Sequence, residues 1–313
     1  MTNFWTKLPK PFVALAPMEN VTDFVFREIV SLYLPRPDVM FTEFTNVEAL
    51  NSAGLEKTIY RFKFSEKQRP IVAQIWGLNP KNYYKTAKLI VDMDFDGIDI
   101  NMGCPDKAVV KIGACSALIN NRPLAKEIIE ATKKGAGKLP VSVKTRIGLT
   151  KVVTNEWITF LLEQNIAAIT VHGRTSKQMS NVPADWDEIA KAAIIKNKIS
   201  QNTLIVGNGG VKNYNEGIDL SKKYGLDGAM IATGMLSNPW AFERTDKKYS
   251  LNDNEEILIK HLNLYNKTKE SNKGYGVMKK FFKMYVNNFE GASALRNKLM
   301  ETKNVNEALE LLK

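Results

Sequence analysis

The sequence predicts an α/β fold, a (β/α)8 TIM barrel followed by a small C-terminal all-helical domain. Three observations carry that prediction. Short β-branched runs alternate with stretches of helical periodicity, at a spacing of roughly thirty residues, which is the beat of successive βα units. Polar or glycine-bearing residues stand at the C-terminal end of nearly every predicted strand, where the loops of such a barrel converge. From about residue 251 onward the strand signals stop and helical ones take over.

In order, the predicted strands are 12–16, 39–41, 71–75, 97–101, 141–144, 168–172, 204–207 and 228–231. Between them lie amphipathic helices such as 22–32, 81–91, 123–133, 154–163 and 215–223, which can each bury one apolar face against the sheet. A doubly wound sheet is the competing arrangement, but no GxGxxG follows any strand, so the usual dinucleotide fingerprint is missing. Beyond the barrel, 255–268, 277–289, 292–300 and 305–313 read as an appended helical bundle. This divides the chain into a catalytic barrel, 1–245, and a helical domain, 246–313.

Composition narrows the function classes. No apolar run approaches the roughly 18 residues of a membrane span. The apolar stretch near the start is cut short by Pro17, too early for a signal-peptide core, so a cytoplasmic protein is expected. Two cysteines argue against a disulfide scaffold, and two histidines offer no metal-ligand spacing, so metal catalysis is not expected. The net charge of +11 favours an anionic partner, most simply a nucleic acid backbone; a lysine-rich proteome is the plain alternative. Residues 246–313 hold thirteen Lys/Arg against nine Asp/Glu, so the excess is spread along the chain rather than confined to a tail.

The strand ends carry Ala16-Pro17-Met18, Thr42-Glu43, Gln74, Asn101 leading to Cys104, Lys144, His172-Gly173-Arg174, Asn208-Gly209-Gly210 and Ala232-Thr233-Gly234. A single polar end residue is commonly a cap. A set this varied suits recognition of a large ligand with many features. The last two ends define a phosphate pocket, since glycines let backbone N–H groups approach an anion and the seventh and eighth loops are the usual barrel phosphate site.

Together, LAPMENVTDFVFR, AQIWGLNP, GIDINMGCPDKAVVKIGACSALI, VSVKTRIG, ITVHGRTSKQMSNVPADWDEI and GAMIATGMLSNPWAF resemble the tRNA-dihydrouridine synthases. The match runs through the barrel in order and continues more weakly into FEGASALRNKL. The resemblance implies FMN, a nicotinamide reductant (NADPH or NADH) and a uridine in folded tRNA as substrate. It places FMN contacts on Ala16, Pro17, Met18, Gln74, Lys144 and His172, phosphate contacts on Asn208, Gly209, Gly210, Ala232 and Thr233, and the catalytic acid on Cys104. Asn101 and Arg174 are the substrate-binding candidates. Three sites depart from the family's habit: the pair Ala232-Thr233 stands where Gly-Arg is usual, Gly210 where an acid is common, and Ser180 where an aromatic is frequent.

The chemistry suits these residues. Saturating a uracil C5–C6 bond needs a hydride at C6 and a proton at C5; a flavin supplies the first and the protein the second. A thiol is mostly protonated near neutrality yet acidic enough to release its proton, and Cys104 sits three residues past a strand end between Gly103 and Pro105. Cys115, in the small-residue run GACSAL, reads as packing. A strand-end ammonium at Lys144 can stabilise charge on a reduced flavin. Gln74 offers donor and acceptor to its pyrimidine edge, and Asn101 offers the same to uracil or else fixes the cysteine loop. His172 reads as a cofactor contact and His261 as structural.

In the helical part, Lys279, Lys280 and Lys283 beside Phe281, Phe282 and Tyr285 fit either a phosphate-binding face or a solvated amphipathic helix. The resemblance assigns tRNA docking to this domain, and no obligate protein partner is implied. Two rivals stay open: a flavin barrel acting on a free pyrimidine, and an RNA-binding protein that keeps the barrel without catalysis. Ribosomal RNA as target, the uridine position and NADPH against NADH also stay open.

Overall fold

The computed structural model describes residues 3–199, 202–268 and 274–312; residues 1–2, 200–201, 269–273 and 313, the last of them the end of predicted helix 305–313, lie outside the described residues. The strands are β1 (Phe12–Leu15), β2 (Met40–Phe41), β3 (Thr45–Asn46), β4 (Ile71–Trp76), β5 (Gly97–Met102), β6 (Val141–Arg146), β7 (Ala168–His172), β8 (Leu204–Asn208) and β9 (Gly228–Ile231). They form one sheet in the order β1-β9-β8-β7-β6-β5-β4-β2, every pairing parallel. The sheet closes on itself where Leu15 N donates to Val39 O at 3.0 Å and Asp38 N to Val13 O at 2.9 Å.

The second barrel position differs from expectation. The single strand expected at 39–41 is met by β2, but a second short strand, β3, follows it, and both pair with β4. The interruption at 42–44 has a tertiary cause: the Gln74 N–H, which would continue the ladder, goes to the Thr42 hydroxyl at 3.1 Å instead.

The helices that clothe the barrel are α1 (Phe24–Tyr33), α2 (Val47–Leu50), α3 (Pro80–Asp92), α4 (Lys107–Lys111), α5 (Arg122–Ala136), α6 (Thr154–Leu162), α7 (Trp186–Ile199), α8 (Tyr214–Lys223) and α9 (Thr233–Ser237). Side-chain caps start several of them: Asp23 takes the Phe26 N–H at 2.9 Å, Asn79 precedes Pro80, and Asn213 takes the Glu216 N–H at 2.9 Å. The large core lies between strands and helices. A second, smaller cluster, including Trp5, Phe12, Phe41, Val72, Val206 and Met230, fills the barrel interior. Alternation then decides what the upper interior holds: on β6, Val141 and Val143 join the outer core, leaving Ser142, Lys144 and Arg146 to the other face.

Past α9 the described chain is helical: α10 (Leu251–Thr268), a 3-10 turn (Tyr275–Phe281), α11 (Phe282–Tyr285), α12 (Ala292–Glu301) and α13 (Val305–Glu310). Predicted helix 277–289 is thus a 3-10 turn followed by one α turn. Phe281, Phe282, Met284, Tyr285 and Val286 are all buried, more of the circumference than a one-faced amphipathic helix can bury. His261 on α10 is structural, as expected: its Nδ1 meets Tyr285 Oη at 3.0 Å, Phe281 packs against its ring, and burial pulls its pKa down to about 3. Among the described residues, no helix is long and apolar enough to cross a membrane.

Candidate active site

The inward-facing polar residues of neighbouring strands meet at the C-terminal mouth. Cys104 stands two residues beyond β5 and is half-buried. Asn101 holds it there: its Oδ1 accepts the N–H of Gly103 at 3.0 Å and of Cys104 at 2.9 Å. The Cys104 carbonyl accepts the Ser116 hydroxyl at 2.8 Å. The Cys115 thiol donates to the Cys104 sulfur, and this bond, with the Asp106 N–H and the Arg146 charge, lowers the Cys104 pKa to about 7 against the opposing effect of burial. Cys115 is fully buried, as a packing residue should be, and burial together with the neighbouring Cys104 pushes its own thiol pKa well up.

Lys144 lies beside Asn101 in register, and its Nζ donates to Asn208 Oδ1 at 3.0 Å. Burial and the Arg146 charge lower its pKa to about 8. The Asn208 amide is itself fixed by donating to Met230 O at 2.9 Å. His172 lies next to Asn208 on the neighbouring strand. Its Nε2 is 2.8 Å from Arg174 Nη1. A guanidinium only donates, so Nε2 accepts and the proton sits on Nδ1. Burial and the charges of Lys144, Arg146 and Arg174 depress its pKa far below neutrality, so it is a neutral ring with one N–H to offer. Arg174 is half-buried and also donates from Nε to Val182 O at 2.6 Å.

Gly209 and Gly210 follow β8 at φ +125° and +77°. A Cβ at Gly209 would meet Ala184 Cβ at 2.7 Å and His172 Cδ2 at 3.0 Å, whereas one at Gly210 would point into open space. That open space is a cavity of about 330 Å³, lined among others by Gly210, Lys212, Thr233, Gly234 and Ser237. The predicted phosphate residues Gly210 and Thr233 therefore meet, with Lys212 at the rim where Ala232-Thr233 supplies no cation. On the first strand end, Ala16 N donates to Ile231 O at 2.8 Å and Met18 N to Thr22 Oγ1 at 2.9 Å, which holds the Ala16-Pro17-Met18 turn against the eighth strand end. These residues would fit a flavin mononucleotide: an open glycine-lined hollow, a half-buried ammonium and a neutral imidazole N–H lie along adjoining strand ends.

Two residues of this site escaped the sequence reading. Asp99, fully buried, bonds Gln74 and Ser142. Arg146 donates from Nε to Gly103 O at 2.8 Å and from Nη1 to Thr175 O and Met179 O, both at 3.0 Å, tying the cysteine loop to the loop after β7. Strict alternation, forward from Lys144 and back from Asn101, marks both as inward-facing, and that was the available signal.

Comparison with known proteins agrees with this geometry. The dihydrouridine synthase (Dus) family model matches residues 14–313. A Staphylococcus aureus (strain MRSA252) protein named "Probable tRNA-dihydrouridine synthase" is 44% identical over 99% of this chain and 94% of its own length. The Bacillus subtilis (strain 168) "Probable tRNA-dihydrouridine synthase 2" is also 44% identical, over 99% of this chain and 95% of its own. Among solved structures, morphinone reductase in complex with tetrahydroNAD superposes with a TM-score of 0.53 at 11% identity, covering 77% of this chain and 88% of that one; at such identity the likeness concerns the fold alone. With the family model spanning the barrel and the helices after it, and full-length relatives at this identity, the chain belongs to the dihydrouridine synthase family.

Proposed function

We propose that this chain is an FMN- and NAD(P)H-dependent oxidoreductase of the cytoplasm that reduces the C5–C6 bond of uridines in tRNA to 5,6-dihydrouridine. The observation that carries the reading is the Cys104 thiol, pinned by Asn101 at the barrel mouth and made more acidic by Cys115, across the strand ends from a one-phosphate cradle. Ala16, Pro17, Met18, Gln74, Lys144 and His172 would hold the flavin ring; Asn208, Gly209, Gly210, Ala232 and Thr233 would hold its phosphate. Bound there, FMN would supply hydride chemistry, with the nicotinamide nucleotide as reductant.

The chain's own part is the proton. Cys104 delivers it to C5 of the uracil as C6 receives the hydride, so one NAD(P)H and one proton are consumed per uridine reduced. The thiolate left behind is stabilised by the Cys115 S–H, the Asp106 N–H and the Arg146 charge, then reprotonated from water. Asn101 and Arg174 are the groups assigned to the uracil and its flanking backbone. A base within folded RNA must be extruded to reach such a pocket, so a basic surface around the mouth is required. Lys107, Lys111 and Lys177 supply one, around an apolar hollow of about 380 Å³ beside the cysteine loop. The helical domain, 246–313, is assigned the remaining tRNA contacts.

The test is direct. Purified protein with FMN, NADPH and unmodified tRNA should yield dihydrouridine, read by mass spectrometry of the digested RNA. Free uridine or uracil offered in its place should turn over poorly. Efficient reduction of the free base with none in RNA would overturn the assignment in favour of a small-molecule dehydrogenase.

A further inference from the structure

Asp99 lies inside the barrel, one inward position below Asn101 on β5, and its carboxylate is fully buried. Ser142 Oγ donates to its Oδ1 at 2.6 Å and Gln74 Nε2 to its Oδ2 at 2.7 Å. The chain continues upward. Asn101 Nδ2 donates to Gln74 Oε1 at 3.2 Å, and Asn101 Oδ1 accepts the N–H groups of Gly103 and Cys104. Burial raises the Asp99 pKa to about 6, which leaves it ionised near neutrality.

Each link has a direction. A carboxylate only accepts, so Gln74 must turn its NH2 toward Asp99 and its oxygen toward Asn101. Asn101 must then turn its NH2 toward Gln74, which aims its oxygen at the cysteine loop. Neither amide prefers one orientation by itself. Reversing any link would set two N–H groups, or two oxygens, against each other in a buried space and leave each unsatisfied.

We propose that Asp99 is a positioning residue of this site, whose fixed acceptor polarity is relayed through the Gln74 and Asn101 amides to hold the Cys104 loop. The role rests on reading Cys104 as the proton donor, but the relay itself is a property of the loop and can be tested without the reaction.

The test exploits direction. In Asn101→Asp, two carboxylates compete for the single NH2 of Gln74, so one link of the relay is lost. In Asp99→Asn with Asn101→Asp, the whole relay can run in reverse. Ser142 then donates to the oxygen of the amide introduced at position 99, and the NH2 of that amide donates to Gln74. Gln74 in turn donates to the carboxylate introduced at position 101, which still accepts from Gly103 and Cys104. The readout is the alkylation rate of Cys104 by iodoacetamide at about pH 9, where the thiol is ionised and the rate reports access; peptide mass spectrometry separates it from buried Cys115. Asn101→Asp should speed alkylation by about tenfold through a loosened loop, and the double variant should return to within about threefold of wild type. Suppression supports the relay, as does a single variant that fails to fold while the double folds. A double variant as fast as, or less foldable than, Asn101→Asp would overturn it, because a merely space-filling Asp99 gives additive damage. Absence of dihydrouridine with suppression intact would count against the enzymatic reading and leave the relay standing.

Discussion

The Lys144 ammonium donates to the neutral amide oxygen of Asn208 at 3.0 Å, while the nearby Asp99 carboxylate is bonded by Ser142 and Gln74 instead. A charge is thus kept in the barrel mouth on an amide rather than on a carboxylate, ready for an anionic partner.

The consequence is a pH-dependent cost in the flavin-free protein. Burial and Arg146 lower the Lys144 pKa from 10.5 to about 8, so between those values the unfolded chain binds the proton and the folded chain does not. Stability from this group therefore rises with pH from about 8 to 10.5 and is smallest below 8. Lys144→Met should make the flavin-free protein more stable at pH 7, by on the order of 1–3 kcal/mol, and the gain should vanish by about pH 10.5. The same variant should bind FMN more weakly. Paired thermal melts at the two pH values check the first claim and flavin titration the second; equal destabilisation at both would mean the lysine is not strained by burial.

The glycine pair after β8 is needed for different reasons at adjacent positions. Gly209→Ala forces a Cβ to 2.7 Å from Ala184 Cβ and 3.0 Å from a His172 ring carbon, so the ring must move. FMN affinity should drop by about tenfold or more, the usual scale of overpacking. Gly210→Ala meets no protein atom, but its Cβ would enter the cavity assigned to the phosphate and at φ +77° it strains the backbone by about 1–2 kcal/mol, so FMN affinity and melting temperature should both fall. Fluorescence titration of FMN and thermal melts of both variants check these expectations.

Salt dependence checks the RNA surface. Lys279 donates to Met300 O at 2.6 Å and Lys280 to the backbone of Asn20, so each already serves the packing of the helical segment, whereas Lys283 is exposed. If Lys283, Lys107, Lys111 and Lys177 meet phosphates, neutralising any one should flatten the plot of log tRNA affinity against log salt by about 0.7–0.9. Lys279→Ala should act mainly on stability. A Lys283→Ala slope equal to wild type would return that residue to the solvated face.

The parts of this fold that were legible in sequence are those with a local signal. Each barrel strand has its own β-branched run, so the expected strands fall within two residues of those found. Strand β3 was missed because its existence depends on Thr42 diverting the Gln74 N–H, a tertiary event with no signature at residues 45–46. Cys104, Lys144 and Asn208 were legible because a barrel exposes its strand ends. Asp99 and Arg146 were not singled out, since their chemistry follows from partners on other strands: Gln74 and Ser142 for one, Gly103 and Thr175 for the other. Charge at Lys279 and Lys280 was visible, but not the carbonyls that already hold them. Cys115 looked like packing because only the fold brings its turn beneath the cysteine loop.

That contact carries the last prediction. If Cys104 is the acid, it must be protonated, so single-turnover reduction of tRNA by pre-reduced enzyme should be fast below pH 7 and decline as pH rises through about 7. Cys104→Ala should still bind FMN and oxidise NADPH, yet lose a factor of about 10² to 10⁴ in this step. Cys104→Ser should do little better, because a hydroxyl is a far weaker acid. Cys115→Ala is informative in a different way. The Cys115 S–H is the largest influence lowering the Cys104 pKa, so removing it should move the declining limb to higher pH, toward the ordinary thiol range, with little change below pH 6. The pH profile of Cys104 alkylation should shift by the same amount in RNA-free protein, which ties the limb to this thiol rather than to a group on the substrate. A kinetic limb that stays near 7 in Cys115→Ala while the alkylation profile moves would show that some other group donates the proton.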